Sequence, residues 1–235
     1  MVKLGNFLFH YRNTIFPLFY LFLFLPSPRI VPEFLPPIVA GFIIILIGQG
    51  IRIATIGLVY IIRGGRDRKV YAEDLVTDGV FHHCRNPLYL GNVIQIFGLG
   101  ILANSLIFTC IFSPLFLFFY QAIIRAEEAF LLKKFGAQYE NYLKTTNRWI
   151  PNLKGINKTF ASMKFNWKRV IVKEYNSIFA WCIAATLLIA KNYHHYSSTR
   201  NFENSLMYFG FVTVFLILAY LTVRYLKKSN KLSGN

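Results

Sequence analysis

The dominant pattern along the chain is a series of apolar runs separated by short polar segments that are mostly basic. The longest runs exceed the roughly 20 residues that a helix needs to cross the ~30 Å hydrocarbon core of a bilayer. This pattern predicts an all-α fold, a polytopic transmembrane helical bundle of about six spans. The predicted spans are 13–25, 34–62, 88–103, 106–124, 178–193 and 206–226.

Helix-breaking residues indicate how the central spans are joined. Pro87 fits the first turn of the third span, with Asn86 as its N-cap. Asn104 and Ser105 are the only polar residues between the third and fourth spans, so we expect a tight helical hairpin there. Pro114 predicts a kink in the fourth span.

The same pattern divides the chain into four parts. Residues 1–39 form an N-terminal span and loop, and residues 40–151 form a membrane core. Residues 152–177 are basic with interspersed apolar positions, which fits either an interfacial helix on the inner leaflet or a plain connecting loop. Residues 178–235 form a C-terminal extension of two spans.

Charge sets the expected orientation. The formal net charge is +16, and 22 of the 26 Lys and Arg residues fall on one side of the predicted bundle, against 3 on the other. The positive-inside rule therefore predicts an integral membrane protein with both termini cytoplasmic. The Lys- and Asn-rich composition suits a bacterial inner membrane. The basic residues lie in inter-helix segments without a nucleic-acid-binding module, so we expect the bilayer and not nucleic acid as partner.

The first candidate site is the segment 75–91, LVTDGVFHHCRNPLYLG, at the cytoplasmic mouth of the third span. Polar and ionisable residues at such a boundary are expensive unless they pair with each other or with a ligand. Phe81, Arg85 and Tyr89 also fit an interfacial belt of aromatic and basic residues, which needs no ligand.

We predict no metal site in this chain. His82 and His83 are adjacent, and neither a carboxylate nor a cysteine stands at a metal-ligand interval from them. Cys84, Cys110 and Cys182 are scattered, so they indicate neither a disulfide framework nor a zinc site.

The second candidate site is the segment 125–151, RAEEAFLLKKFGAQYENYLKTTNRWIP. Arg125 and Glu128 stand three residues apart, so a plain ion pair at a helix end explains them without a ligand. Gly136 is expected to end or bend the helix. The charge bias places both candidate sites on the same face of the membrane.

Together, LVTDGVF…RNPLYLG and RAEEAFLLKKFGAQYENY…RWIP resemble the isoprenylcysteine carboxyl methyltransferase and phospholipid methyltransferase family. Members typically show L-V-x-x-G-x-[YF]…R-H-P-x-Y-x-G, followed by E-E-x-x-L-x-x-x-F-G-x-x-Y-x-x-Y and a closing I-P. The resemblance covers roughly residues 40–151 and leaves the last two spans unexplained. Asn86 stands where the family usually has His, so a hydrogen bond survives there but a charged imidazole does not, unless His82 or His83 substitutes.

The resemblance implies an S-adenosyl-L-methionine-dependent methyltransferase whose cofactor binds at the cytoplasmic ends of the helices. The implied acceptor is a lipid or a small hydrophobic molecule, for example a prenylcysteine-type carboxylate. The resemblance also implies that Arg125 and Arg148 position the acceptor, and that Arg125 binds the anionic group of the acceptor. The implied cofactor-binding residues are Leu75, Val76, Phe81, Asn86, Pro87, Leu88, Tyr89, Glu127 or Glu128, and Tyr139 and Tyr142, which close the pocket with Arg148.

Two other interpretations and one further residue stay open at this stage. The chain also resembles NADPH-dependent sterol or enone reductases in its Arg-containing block and Glu-rich helix, and a non-catalytic membrane homologue fits the departure at Asn86.

Arg52 lies inside the second span, where a charge is expensive. We expect it to pair with Glu127 or Glu128, or to bond backbone carbonyls. Gly48, Gly50 and Gly57 nearby predict close helix contact. The sequence gives no indication of oligomeric state.

Overall fold

The computed structural model describes residues 1–59, 70–197, 199–229 and 231–232. Within these ranges every regular element is a helix, which confirms the predicted all-α fold class. The α-helices are α1 (Val2–Tyr20), α2 (Leu35–Leu58), α3 (Val80–His83), α4 (Pro87–Leu102), α5 (Ser113–Phe135), α6 (Ala137–Thr145), α7 (Ile156–Ser162), α8 (Trp167–Tyr196) and α9 (Thr199–Lys228). A 3₁₀ turn, Leu21–Phe24, follows α1, and a π-helical turn, Phe108–Phe112, precedes α5.

Four helices are long and apolar enough to cross a membrane: Leu35–Leu58, Phe108–Phe135, Trp167–Tyr196 and Ser205–Lys228. The predicted third span corresponds to α4, an apolar helix of only 16 residues, and α1 does not meet the same criteria. The count of six spans is therefore not confirmed. The last three residues of the predicted second span, 60–62, lie outside the described residues.

Glycines allow α2 and α4 to pack backbone against backbone. A methyl group at Gly48 would lie 2.6 Å from the carbonyl oxygen of Gly91, and one at Gly41 would lie 2.6 Å from that of Gly98. Small residues spaced seven apart on both helices thus form the contact surface, as is usual for close helix pairs in membranes. The predicted role of Gly48 is confirmed, whereas Gly50 faces open space.

The turn residues act largely as predicted. Asn104 joins α4 to the next helix with a positive φ of 51°, and its side-chain oxygen accepts the backbone N–H of Ile30 at 2.9 Å. The π-helical turn ends two residues before Pro114, where a kink was expected, so the irregularity of the helix precedes the proline. Gly136, with φ 50°, ends α5 and begins α6.

The segment 152–177 differs from both interpretations of it. Only its first half contains a short separate helix, α7. Its second half belongs to α8, which begins at Trp167, capped by the side chain of Asn166, and continues unbroken into the predicted fifth span. The division drawn at residue 177 therefore falls inside a helix, because the basic residues between 167 and 177 occupy its first turns rather than a linker.

Candidate functional site

A cavity of about 1210 Å³ lies where α1, α2, α4, α5, α6 and α8 meet. It is larger than the roughly 300–1,000 Å³ of a typical small-molecule site. Every predicted cofactor residue lines it, although these residues come from four separate segments of the chain. They are Leu75, Val76, Phe81, Asn86, Pro87, Leu88, Tyr89, Glu127, Glu128, Tyr139 and Tyr142.

Glu127 is held by a single hydrogen bond within the cavity. The Tyr89 hydroxyl donates to the carboxylate of Glu127 at 2.7 Å, joining α4 to α5. Among the described residues, no Lys, Arg or His nitrogen lies within 4 Å of this carboxylate. Tyr120 packs its ring 5.2 Å from that of Tyr89, and its hydroxyl accepts from the Asn92 amide at 3.0 Å. Glu127 therefore presents acceptor capacity to a ligand with N–H or O–H groups.

Glu128, in contrast, is committed to arginines of the protein. Arg148 donates to it through two nitrogens, at 2.9 and 2.6 Å, and Arg85 donates at 3.1 Å. The predicted pair between Arg125 and Glu128 is wrong, because Arg125 lies on the exposed outer face of α5. The sequence did not distinguish the roles of the two glutamates. In the structure both line the cavity, but Glu128 binds the arginines and fixes the loop around residue 148, whereas the Glu127 carboxylate keeps acceptor capacity for a ligand.

The two arginines expected to position the acceptor do not line the main cavity. Arg125 and Arg148 lie instead around a smaller cavity of about 440 Å³ on the other side of Glu128. Arg148 stays connected to the main cavity through its ion pair with Glu128. Arg125 has no comparable connection among the described residues.

Asn86 has a structural contact that explains how an amide serves at this position. It precedes α4 as the N-cap residue, and its side-chain N–H donates to the carbonyl oxygen of Arg148 at 3.2 Å. Neither neighbouring histidine replaces an imidazole in the cavity. His83 is buried outside it, with its ring nitrogens 2.6 Å from the Asn152 carbonyl and 2.8 Å from the Thr159 hydroxyl.

Two tyrosines of α6 cover the cavity next to α3. The Tyr142 hydroxyl donates to the carbonyl oxygen of Phe81 at 2.6 Å, and the rings of Tyr139 and Tyr142 lie 6.0 Å apart. Burial raises the pKa of both phenols above the ordinary value, so both remain neutral donors at physiological pH.

Arg52 has a partner that the sequence analysis missed. Its Nε and Nη2 donate to the two carboxylate oxygens of Glu174 in α8, at 2.8 and 2.7 Å. The prediction that it pairs with Glu127 or Glu128 is therefore wrong. One feature of the sequence could have indicated this partner, because Glu174 is the only acidic residue between positions 141 and 202.

The ion pair belongs to a buried polar network that joins α8 to α2 and α4. Gln49 donates to Glu174 at 3.1 Å, and its side-chain oxygen accepts from Gln95 at 2.9 Å and from Trp181 at 3.0 Å. Arg52 also donates to Asn92, which in turn contacts Tyr120. The C-terminal extension is thus connected to the residues that line the cavity.

Part of the chain is similar in sequence to known methyltransferases. Residues 37–138 match the family model for phospholipid methyltransferases. Over 104 residues the chain is 35% identical to the cobalt-zinc-cadmium resistance protein CzcN of Cupriavidus metallidurans, covering 44% of this chain and 47% of that protein. Over 77 residues it is 38% identical to the protein-S-isoprenylcysteine O-methyltransferase of Schizosaccharomyces pombe, covering 33% of each.

The matches are partial on both sides. The chain spans about half the length of the curated relatives it matches, among them the nickel-cobalt-cadmium resistance protein NccN of Alcaligenes xylosoxydans xylosoxydans at 33% identity. No solved structure matches. The comparisons give the reductase alternative no support. Residues 37–138, the family segment, are thus similar to the phospholipid methyltransferase family, and the relatives of this chain include protein-S-isoprenylcysteine O-methyltransferases.

Proposed function

We propose that this protein is an integral membrane methyltransferase that uses S-adenosyl-L-methionine and acts on a lipidic or small hydrophobic acceptor. The observation that carries the proposal is the convergence of eleven separately placed motif residues on one cavity. The similarity of residues 37–138 to phospholipid methyltransferases supports a methyl donor, and the four apolar helices support a membrane setting.

The residues of the cavity fit this cofactor chemically. A cavity of about 1210 Å³ exceeds the size of one drug-sized ligand, so a donor and part of an acceptor have room together. Glu127 has carboxylate lone pairs for an ammonium group or ribose hydroxyls. The faces of Tyr89, Tyr120 and Tyr139 suit a cationic sulfonium, a contact of about 0.5–2 kcal/mol depending on desolvation.

The protein contributes position rather than acid–base chemistry. When bound, S-adenosylmethionine supplies an electrophilic methyl group, and the leaving electron pair stays on sulfur as a neutral thioether once an acceptor lone pair bonds to carbon. Tyr89 holds the Glu127 carboxylate in one orientation, and Asn86 and Glu128 fix the loop that carries Arg148. Such positioning lowers the barrier of a two-substrate displacement by removing the need to align the reactants in solution.

We further propose that both termini are cytoplasmic and that the protein resides in a bacterial inner membrane. The strong bias of Lys and Arg to one side supports the orientation, and the bacterial source of CzcN agrees with the location. Two relatives have names that refer to metal resistance, and we propose no metal site for this chain on the basis of those names. Among the described residues, no group of three His, Cys, Asp or Glu side chains is placed to hold a metal ion.

The proposal is tested by incubating purified protein in lipid vesicles with S-adenosylmethionine labelled in its methyl group and a total membrane lipid extract. We expect label in the organic phase, and the chemistry of the labelled product identifies the acceptor class. Glu127→Gln should lower the initial rate at subsaturating donor about ten- to a hundredfold, the loss expected for a hydrogen bond to a charged group. Glu140→Gln, on the exposed face of α6, is the matched control and should not change it.

Absence of label with extracts from several sources would contradict the proposal. So would a Glu127→Gln protein that transfers methyl groups as fast as the wild type at every donor concentration.

A further inference from the structure

The cavity extends well beyond the family segment, into a region formed by two helices that flank it in sequence. This region, the α1–α8 chamber, is lined from α1 by Arg12, Asn13 and Pro17 and from α8 by Asn176, Ala180 and Ala184. None of these six residues lies within residues 37–138. The motif residues line the rest of the same cavity, and the Arg12 guanidinium is within electrostatic reach of Glu127. The cavity is therefore lined partly by residues of the family motifs and partly by residues outside the family segment.

We propose that the α1–α8 chamber is the acceptor site and that Arg12 binds an anionic group of an amphiphilic acceptor there. This inference rests on the proposed function and adds to it the place, the charge and the protein groups that recognise the acceptor.

The chamber opens through the side of the helical bundle, between α1 and α8. Asn13 and Pro17 on α1 are exposed, and so are Asn176 and Ala180 on the facing side of α8, although all four line the cavity. The intervals of four residues place Asn176, Ala180 and Ala184 on one face of α8. An opening between two apolar helices admits a molecule with a hydrocarbon chain from the bilayer, whereas a water-soluble substrate has no need of it.

Arg12 contributes a positive charge to the chamber. Its guanidinium lies 4.1 Å from the centroid of the Phe9 ring, and no carboxylate oxygen lies within 4 Å of it in the part of the chain that the structure describes. The other arginines that line the cavity, Arg52 and Arg85, are paired with Glu174 and Glu128. A partly buried guanidinium with no carboxylate in direct contact favours an anionic ligand, carboxylate or phosphate, which it can bind through two parallel hydrogen bonds.

Buried contacts hold α8 in a fixed position beside the chamber. Glu174 is fully buried and paired with Arg52, and Trp181 donates to Gln49 at 3.0 Å. These contacts hold the face carrying Ala180 and Ala184 at a set distance from the cavity centre. Because alanines line that face, a larger side chain at either position narrows the chamber without touching Glu127.

The kinetic test compares variants of the chamber with variants outside the cavity in lipid vesicles. We expect Arg12→Gln and Ala184→Trp to raise the KM for the labelled-lipid acceptor about tenfold or more, the effect of losing a charge-assisted contact or of steric exclusion. In Ala184→Trp the S-adenosylmethionine affinity, measured by calorimetry, should stay within about twofold of wild type. Lys3→Gln and Leu187→Trp, which are exposed and do not line the cavity, are the matched controls.

A second measurement does not depend on activity. Trp181 lines the cavity from α8, next in sequence to the chamber residue Ala180, so in a protein whose other tryptophans are replaced by Phe its fluorescence reports an occupant. We expect quenching by a brominated fatty acid or a brominated phosphatidate at lower concentrations than by the uncharged brominated methyl ester. The fatty acid and the phosphatidate distinguish a carboxylate head from a phosphate head. Arg12→Gln should abolish the preference for the charged probes.

The outcomes separate the two proposals. Charge-dependent quenching in a protein without methyl transfer would contradict the proposed function but retain the chamber as a binding site. Equal quenching by charged and uncharged probes, or an unchanged acceptor KM in both Arg12→Gln and Ala184→Trp, would overturn the chamber proposal. Loss of S-adenosylmethionine binding in Ala184→Trp with a wild-type circular dichroism spectrum would overturn it too, by assigning this space to the donor.

Discussion

Removing either partner of the buried Arg52–Glu174 pair should destabilise the protein strongly. In the variant Glu174→Leu, the Arg52 guanidinium loses both carboxylate contacts, at 2.8 and 2.7 Å, while it remains only 3% exposed. On insertion scales an unpaired arginine costs about 2.5–3.5 kcal/mol at the centre of a membrane helix, an upper value for Arg52, which lies six residues before the end of α2. Breaking a buried pair in a soluble protein costs about 3–5 kcal/mol, so both approaches agree on about 3 kcal/mol.

The double variant distinguishes an ion pair from simple loss of packing. Arg52→Leu alone should also cost about 3 kcal/mol, because it removes both guanidinium contacts from the fully buried Glu174 carboxylate. Combining the two substitutions removes both charges, so we expect the double variant to be about as stable as either single variant or more so. The coupling energy is then about 3 kcal/mol, or about a hundredfold in the folding equilibrium constant.

The assay is reversible unfolding of the four proteins in mixed micelles at neutral pH, followed by circular dichroism. Strictly additive effects of the two substitutions would refute the reasoning. A stable Glu174→Leu protein would refute it as well, since it would show that Arg52 does not need this carboxylate.

Three further predictions concern other parts of the molecule. Gly48→Leu should lower the melting temperature sharply because its Cβ would lie 2.6 Å from the Gly91 carbonyl oxygen, whereas Gly50→Leu, which faces open space, should leave it unchanged. Burial raises the pKa of Tyr142 in the native state. Above about pH 10 the unfolded chain therefore loses a proton that the native state retains, so the free energy of unfolding should fall as pH rises, and it should fall less in Tyr142→Phe. Asn86→Ala should weaken S-adenosylmethionine binding by several-fold in calorimetry, and Asn86→His should retain it, because an imidazole N–H can also donate to the Arg148 carbonyl. A wild-type affinity in Asn86→Ala would contradict that assignment.

The convergence of the motif residues was predictable from the helical hairpin at Asn104. The hairpin places the start of α4 and the end of α5, both remote from Asn104, next to each other. Tyr89 begins one of these helices and Glu127 lies near the end of the other, so an antiparallel pair places them together. Spacing within one helix was less informative. Arg125 is three residues from Glu128, but Glu128 turns inward to Arg85 and Arg148, while Arg125 points outward.

The role of α8 could not be predicted from local patterns. Arg52 and Glu174 are separated by 122 positions, and their pairing depends on how α8 packs against α2. The apolar run that begins at Ile178 also concealed the true start of this helix at Trp167, because its first turns carry basic residues that resemble a surface segment. Glu174 lies in those turns, and the packing that buries it is a tertiary effect.

The most direct test of the account is a calorimetric titration of the purified protein with S-adenosylmethionine in lipid nanodiscs, for the wild type, Glu127→Gln and Glu140→Gln. We expect binding to a single site in the wild type and in Glu140→Gln. We also expect displacement by S-adenosylhomocysteine and an affinity about ten- to a hundredfold weaker in Glu127→Gln. No heat of binding in any of the three proteins, or equal affinity in all three, would contradict the claim that Tyr89 and Glu127 form the donor site.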